Sequence, residues 1–97
     1  MAIEVIVELQ AKPGGRDELQ SLLEGMVATQ GSSQRGFLGS RRFEVLDNPD
    51  MLIEIAEWES AEARVAHMQE SAATGAYAPL LELLVAPFRA TVIRQLT

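Results

Sequence analysis

Trp58 and His67 are the only tryptophan and the only histidine of a chain that has no cysteine, so they carry much of the chemistry open to it near neutral pH. They fall in one run, Glu57-Trp58-Glu59-Ser60-Ala61-Glu62-Ala63-Arg64-Val65-Ala66-His67-Met68, which reads as a strand end, a serine cap and a helix. An imidazole with an ordinary pKa of about 6.5 is suited to act as a base at neutral pH. An indole can stack on a flat ligand and offer its N–H to an oxygen. Glu54 serves as a base only if burial raises its pKa. Tyr77 offers a hydroxyl. Arg41 and Arg42, adjacent on a strand, point to opposite faces, so one of them could enter a pocket and hold a phenolate or enolate. The candidate catalytic residues are therefore His67 and Trp58, with Glu54, Tyr77 and Arg42 as substrate-binding candidates.

Packing roles compete with each assignment. A strand-end tryptophan also serves as core, and Tyr77 falls on the apolar stripe of a short helix. The arginines could pair with Glu4, Glu8, Glu44 or Glu54 across a sheet. On a helical wheel Ala61, Val65, Met68 and Ala72 form the buried stripe of the helix after Ser60, which leaves His67 off that stripe.

Composition removes several classes of function. With a formal net charge of -6 and its basic residues scattered apart from Arg41-Arg42, the chain lacks the basic stripe that neutralises phosphates, so no nucleic-acid partner is expected. One histidine and no cysteine argue against a metal site. Gly14-Gly15 lacks the spacing of a phosphate loop, so no nucleotide is expected. No apolar run approaches the about 20 residues that span a bilayer, and Ile3-Glu4-Val5-Ile6-Val7-Glu8 does not resemble a signal peptide. No membrane association and a cytoplasmic location are expected.

The elements that must position these residues follow from periodicity. Ile3, Val5, Val7 and Leu9 alternate as a strand does. From Asp17, the residues Leu19, Leu22, Leu23, Met26 and Val27 make the stripe of an amphipathic helix, which Gly31-Ser32-Ser33 ends. Phe37 to Leu46 and Met51 to Trp58 read as a hairpin about the turn Asp47-Asn48-Pro49-Asp50. A helix capped by Ser60 runs to about Ser71, and Thr74-Gly75 interrupts it before a short piece carrying Tyr77, Leu80, Leu81 and Leu84. Phe88 to Gln95 closes as a strand. This order is the split β-α-β, ferredoxin-like arrangement of an α+β protein with an antiparallel sheet, one domain over residues 1–97. Its helices cover one sheet face. Ile6, Ile53, Ile55 and Ile93 lie on the other, which suits a homodimer whose sheets close into a barrel-like core.

With Ala11-Lys12-Pro13-Gly14 before the first helix, Gly36-Phe37-Leu38-Gly39 opening the second strand, Glu57-Trp58-Glu59-Ser60 and His67, the chain resembles the antibiotic biosynthesis monooxygenase domain family, dimeric α+β-barrel proteins. The resemblance implies a cofactor-free oxygenase that acts on a small aromatic quinol or anthrone-like substrate with O2, with no cofactor. It also leaves open an isomerase of a small carbonyl compound by proton transfer, or a non-catalytic ligand-binding dimer. The anthrone-type branch pairs the strand-end tryptophan with an asparagine, a tyrosine and an arginine at positions held here by Glu54, Arg64 and Ala78. Only Trp58 is shared. The haem-degrading branch has an asparagine, a tryptophan and an axial histidine where this chain has Val7, His67 and Tyr77, which disfavours haem degradation. A histidine on the second helix is a feature of the quinol-oxygenase and sugar-isomerase branches.

Overall fold

The alternation at the N-terminus makes the strand on which the sheet is organised. In the computed structural model, which describes residues 2–30 and 35–96, β1 (Ile3–Gln10) is hydrogen-bonded on both edges. It is followed by α1 (Arg16–Gln30), β2 (Phe37–Val45), β3 (Asn48–Trp58), α2 (Ala61–Thr74), α3 (Ala78–Glu82) and β4 (Arg89–Ile93). The sheet order is β2-β3-β1-β4, and every neighbouring pair is antiparallel. This is the ferredoxin-like α+β arrangement expected from the sequence. The segment Gly31-Ser32-Ser33, expected to end α1, lies outside the described residues.

Several boundaries differ from expectation, among them α2, which runs to Thr74 and not to about Ser71, and α3, which ends at Glu82. Val45 pairs with Asn48, so the hairpin turns at Leu46-Asp47 and not at Asp47-Asn48-Pro49-Asp50. The polar residues instead tie the start of β3 to the β1–α1 loop. Asn48 donates to Gln10 Oε1 at 3.1 Å, and the N–H groups of Ala11 and Gly14 donate to the Asp50 carbonyl and side chain at 2.8 and 3.0 Å. The last strand is shorter than Phe88 to Gln95, because only Arg89–Ile93 finds partners, on Glu4–Glu8 of β1.

Register fixes which side chains share a face. Ile3, Val5 and Leu9 are buried with Leu52, Ala56 and Trp58 on the side where the helices pack. The opposite side carries Ile6 beside Ile55, and Ile53 beside Phe43, with Ile93 at the edge. Phe43 and Ile93 remain 42% and 38% exposed there.

The core under the helices is divided. Leu9, Leu19, Leu23, Leu52, Leu80 and Leu84 form one buried cluster with Ala11, while Ile3, Val5, Ala56 and Trp58 form another. Val7 packs against both. The second cluster depends on a close approach at Gly36, which sits at φ +85° and donates no side chain into the space beside α2. Its carbonyl accepts from Glu59 N–H at 2.7 Å.

A methyl group added at Gly36 would stand 2.5 Å from Ala63 Cβ on a left-handed backbone. Gly36→Ala is therefore expected to lower unfolding free energy by about 2 kcal/mol or more. Gly25→Ala, within α1 where no described residue outside its own turn of helix stands within 4 Å of the added carbon, should raise it by about 0.5–1 kcal/mol. Urea denaturation of the two variants checks the opposite signs.

Candidate functional site

Between the two core clusters lies a cavity of about 120 Å³. One wall is the sheet, with Glu54, Ala56 and Trp58 from β3 and Val5, Val7 and Leu9 from β1. The other comes from the helices, including Met26 of α1, Arg64, His67 and Met68 of α2, and Tyr77 at the start of α3. Phe37 and Phe88 close two sides.

His67 reaches this cavity because α2 is rotated away from the stripe that the sequence predicts. Val65 is 48% exposed, and Ala61 and Ala72 are also exposed. The inner face is instead Ala63, Arg64, His67, Met68 and Ser71, the last of these buried. An alanine-rich helix has little hydrophobic gradient of its own, so its ends and contacts set the rotation. Ser60 caps it, with Oγ accepting from Ala63 N–H at 3.2 Å. Gly75, in the left-handed region at φ 68°, ends it. The Trp58 indole lies against the His67 ring, with centroids 5.1 Å apart and planes tilted by 38°.

Four of the aromatic residues and the imidazole then form a continuous chain around the cavity. Phe37 meets Trp58 edge-on at 5.2 Å, and beyond His67 the Tyr77 and Phe88 rings are 5.7 Å apart. Tyr77 Oη is 3.3 Å from His67 Nε2 and donates to Met68 Sδ at 3.3 Å. Ser71 Oγ is 3.5 Å from the same Nε2. Such a network satisfies Nε2 and leaves the other ring nitrogen without a partner.

Among the described residues, two buried side-chain polar atoms lack a hydrogen bond, His67 Nδ1 and Glu54 Oε2, and both belong to residues that line this cavity. Burial drives both groups toward their neutral forms. It lowers the pKa of His67, with Glu70 opposing and Arg64 adding to the shift. It raises the pKa of Glu54 against the pull of Arg42. Burial likewise raises Tyr77, which Ser71 offsets and Glu54 reinforces, so its hydroxyl stays protonated. At neutral pH the imidazole is uncharged and can accept a proton.

The structure brings Trp58, His67, Glu54 and Tyr77 into one cavity and leaves Arg42 off its lining. Arg42 Nη1 donates to Ser40 Oγ at 3.1 Å and stands 3.7 Å from Glu54 Oε2, because register places Arg42 directly across from Glu54. It acts on the cavity through that carboxylate. Arg41 lies with its guanidinium carbon 5.6 Å from the centre of the Phe43 ring. Ser71, Met68 and Phe88 were not singled out as site residues from the sequence. The i+4 relation of Ser71 to His67 was the available signal, and it becomes readable only once His67 is known to face inward. No group of three or more metal-ligating side chains occurs among the described residues, and no helix is long and apolar enough to cross a membrane.

The family model for antibiotic biosynthesis monooxygenases matches residues 2–78, which include Glu54, Trp58, His67 and Tyr77. No curated protein matches the chain. Among solved structures, the chain is similar to the ActVA-Orf6 monooxygenase of Streptomyces coelicolor in complex with nanaomycin D, with a TM-score of 0.84 and 21% identity, over 99% of this chain and 88% of that one. A point mutant of SnoaB, a cofactor-independent oxygenase from Streptomyces nogalater, gives a TM-score of 0.81 at 15% identity, over 97% and 92% of the two chains. A Mycobacterium tuberculosis protein gives 0.80 at 25% identity, over 100% and 97%. These likenesses are of fold.

The raised pKa of Glu54 has a definite sign in stability. The unfolded chain ionises first as pH rises above the ordinary 4.5, so the folded state loses stability from there up through the folded pKa. Glu54→Gln removes that loss. It should raise the thermal midpoint at pH 7 relative to wild type, and the difference should shrink as pH falls below 4.5. A scan of melting temperature against pH checks both parts.

Proposed function

This chain belongs to the antibiotic biosynthesis monooxygenase family, and from that premise we propose that its cavity oxidises a small aromatic quinol or anthrone-like compound with molecular oxygen and without a bound cofactor. The observation that carries this reading is the pairing of an uncharged imidazole with the ring of Trp58 at the wall of a largely apolar cavity. Cofactor-free oxygenation needs a substrate whose anion is electron-rich enough to reduce oxygen. The protein then has to supply a base, a dry pocket and donors for developing charge.

His67 takes the proton of a phenol or of an activated C–H, and the substrate anion forms against Trp58. The anion transfers an electron to O2 and the two combine at the ring carbon. For a methylene carbon, one oxygen atom ends in the new carbonyl and the other leaves in water. The indole N–H can donate to oxygen-bound charge, and so can the Tyr77 hydroxyl, held protonated, once it turns from Met68 Sδ. The S. coelicolor monooxygenase bound to nanaomycin D and the cofactor-independent SnoaB support this reading by likeness of fold. A second reading is favoured by Glu54 and His67 sharing one cavity, since two proton-exchanging groups would also serve isomerisation of a small carbonyl compound. That activity would need no oxygen.

The protein acts, on this reading, as a cytoplasmic homodimer. Ile6, Ile53, Ile55, Phe43 and Ile93 give the sheet a second apolar face, which a second copy of the sheet would bury.

Oxygen uptake with a panel of quinols and anthrones should exceed the buffer rate. His67→Ala is expected to cost about 10²-fold or more in rate. Trp58→Phe should cost about tenfold. Uptake equal to buffer, with turnover of a carbonyl substrate under argon, would favour the isomerase. Ile55→Glu, on the face away from the cavity, should convert dimer to monomer in sedimentation. A wild-type chain that sediments as a monomer would refute the assembly.

A further inference from the structure

Glu54 is the one acidic side chain among the cavity's lining residues, and its surroundings supply little to satisfy it. On the inner face its neighbours along β3 are Leu52 and Ala56, and across the sheet they are Arg42 on one side and Val7 on the other. Beyond Val7 stands Ala90. Of these, only Arg42 carries donors, and its Nη1 is within 3.1 Å of Ser40 Oγ while standing 3.7 Å from Glu54 Oε2. That is ion-pair distance without a hydrogen bond, and Oε2 is left buried and unpartnered. The Tyr77 hydroxyl is engaged with Met68 Sδ and His67 Nε2.

We propose that Glu54 is the specificity-determining residue of this cavity, selecting neutral aromatic ligands that present an O–H or N–H donor at the β3 wall and rejecting those that present an anion there. A ligand hydroxyl would complete the hydrogen bonding that the protein withholds. The carboxylate side chain is 16% exposed and Arg42 22%, so little water competes for it. A ligand carboxylate at the same place would stand beside a like charge that already holds Arg42 at ion-pair distance, with Arg64, on the helix wall, the one cation among the described lining residues. Such like-charge contact is how specificity by exclusion works. A donor-free ligand of the same shape would leave Oε2 buried and unpaired. His67 approaches from α2 and Glu54 from β3, so the two can engage different groups of one ligand.

This inference rests on the reading of the cavity as the ligand site, and not on oxygen chemistry. The test is binding without turnover. The single tryptophan gives one indole N–H signal in ¹⁵N-labelled protein, and its shift can be followed on titration with naphthol, its methyl ether methoxynaphthalene, and naphthoate. Wild type should bind naphthol about tenfold or more tighter than methoxynaphthalene, with naphthoate weakest. Glu54→Gln keeps an acceptor and loses the charge, so naphthol should change little and naphthoate should gain about tenfold. Glu54→Leu should erase the preference for naphthol over its ether. Unchanged ratios among the three ligands in both variants would overturn the proposal, as would wild type that binds naphthoate as tightly as naphthol or does not bind naphthol at all. Binding with the expected ratios but no oxygen uptake would sink the oxygenase reading and leave the role of Glu54 standing.

Discussion

The structure depends on a space that its second helix does not fill. Sheet and α1 present aliphatic side chains to the interior, but α2 meets them with Arg64, His67, Met68 and Ser71 and keeps its one large aliphatic, Val65, outside. Protein interiors are close-packed, so a void of about 120 Å³ between two clusters of buried side chains is a departure from the norm. The cavity is half open to solvent, so its apolar lining stays in contact with water, at a cost in stability. A ligand of matching shape would recover part of that cost, which makes the cavity a binding site by energetics as well as by form.

Burial also bears on the charge of three groups in the wall, His67, Glu54 and Tyr77. Burial favours the neutral form of His67 and of Glu54, although the two begin from opposite charges. For His67 the unfolded chain takes up its proton first as pH falls, so the folded state keeps its full stability above the ordinary 6.5 and loses some below it. A neutral imidazole can take a proton from a ligand, and Glu54 can accept a hydrogen bond from one as the carboxylate. Arg42 supports that charge against burial, since its guanidinium is near enough to favour the carboxylate but too far to bond to it.

How much of this was legible in the sequence depends on the strength of each local gradient. The alternation in β1 and the leucine stripe of α1 are steep, and Leu9, Leu19 and Leu23 are buried as their periods require. In α2 the gradient is shallow. Alanines on every side allow several rotations, and the one adopted is decided by Ser60, by Gly36 against Ala63, and by the Trp58 ring against His67. Those are tertiary contacts, which periodicity does not contain. The pairing of Arg42 with Glu54 is a matter of register, and register here follows from a turn at Leu46-Asp47 instead of the proline-containing segment that turn composition favoured. Polar residues that look like a turn had a different task, which was to bind the start of β3 to Gln10, Ala11 and Gly14.

β3 connects the two faces of the sheet in the most direct way. Because successive side chains alternate, Glu54, Ala56 and Trp58 enter the cavity while Ile53 and Ile55 stand on the far side, on the same backbone. A shift of one residue in its pairing would exchange these sets, putting isoleucines into the cavity and Trp58 outside. The strand is held on both edges, by β2 and by β1, so such a shift would break two ladders at once. Any body that packs on Ile53 and Ile55 therefore bears on the strand that carries Glu54 and Trp58. Order gained on the apolar outer face is order gained at the cavity, and the positions of the acid and the indole are as fixed as that strand.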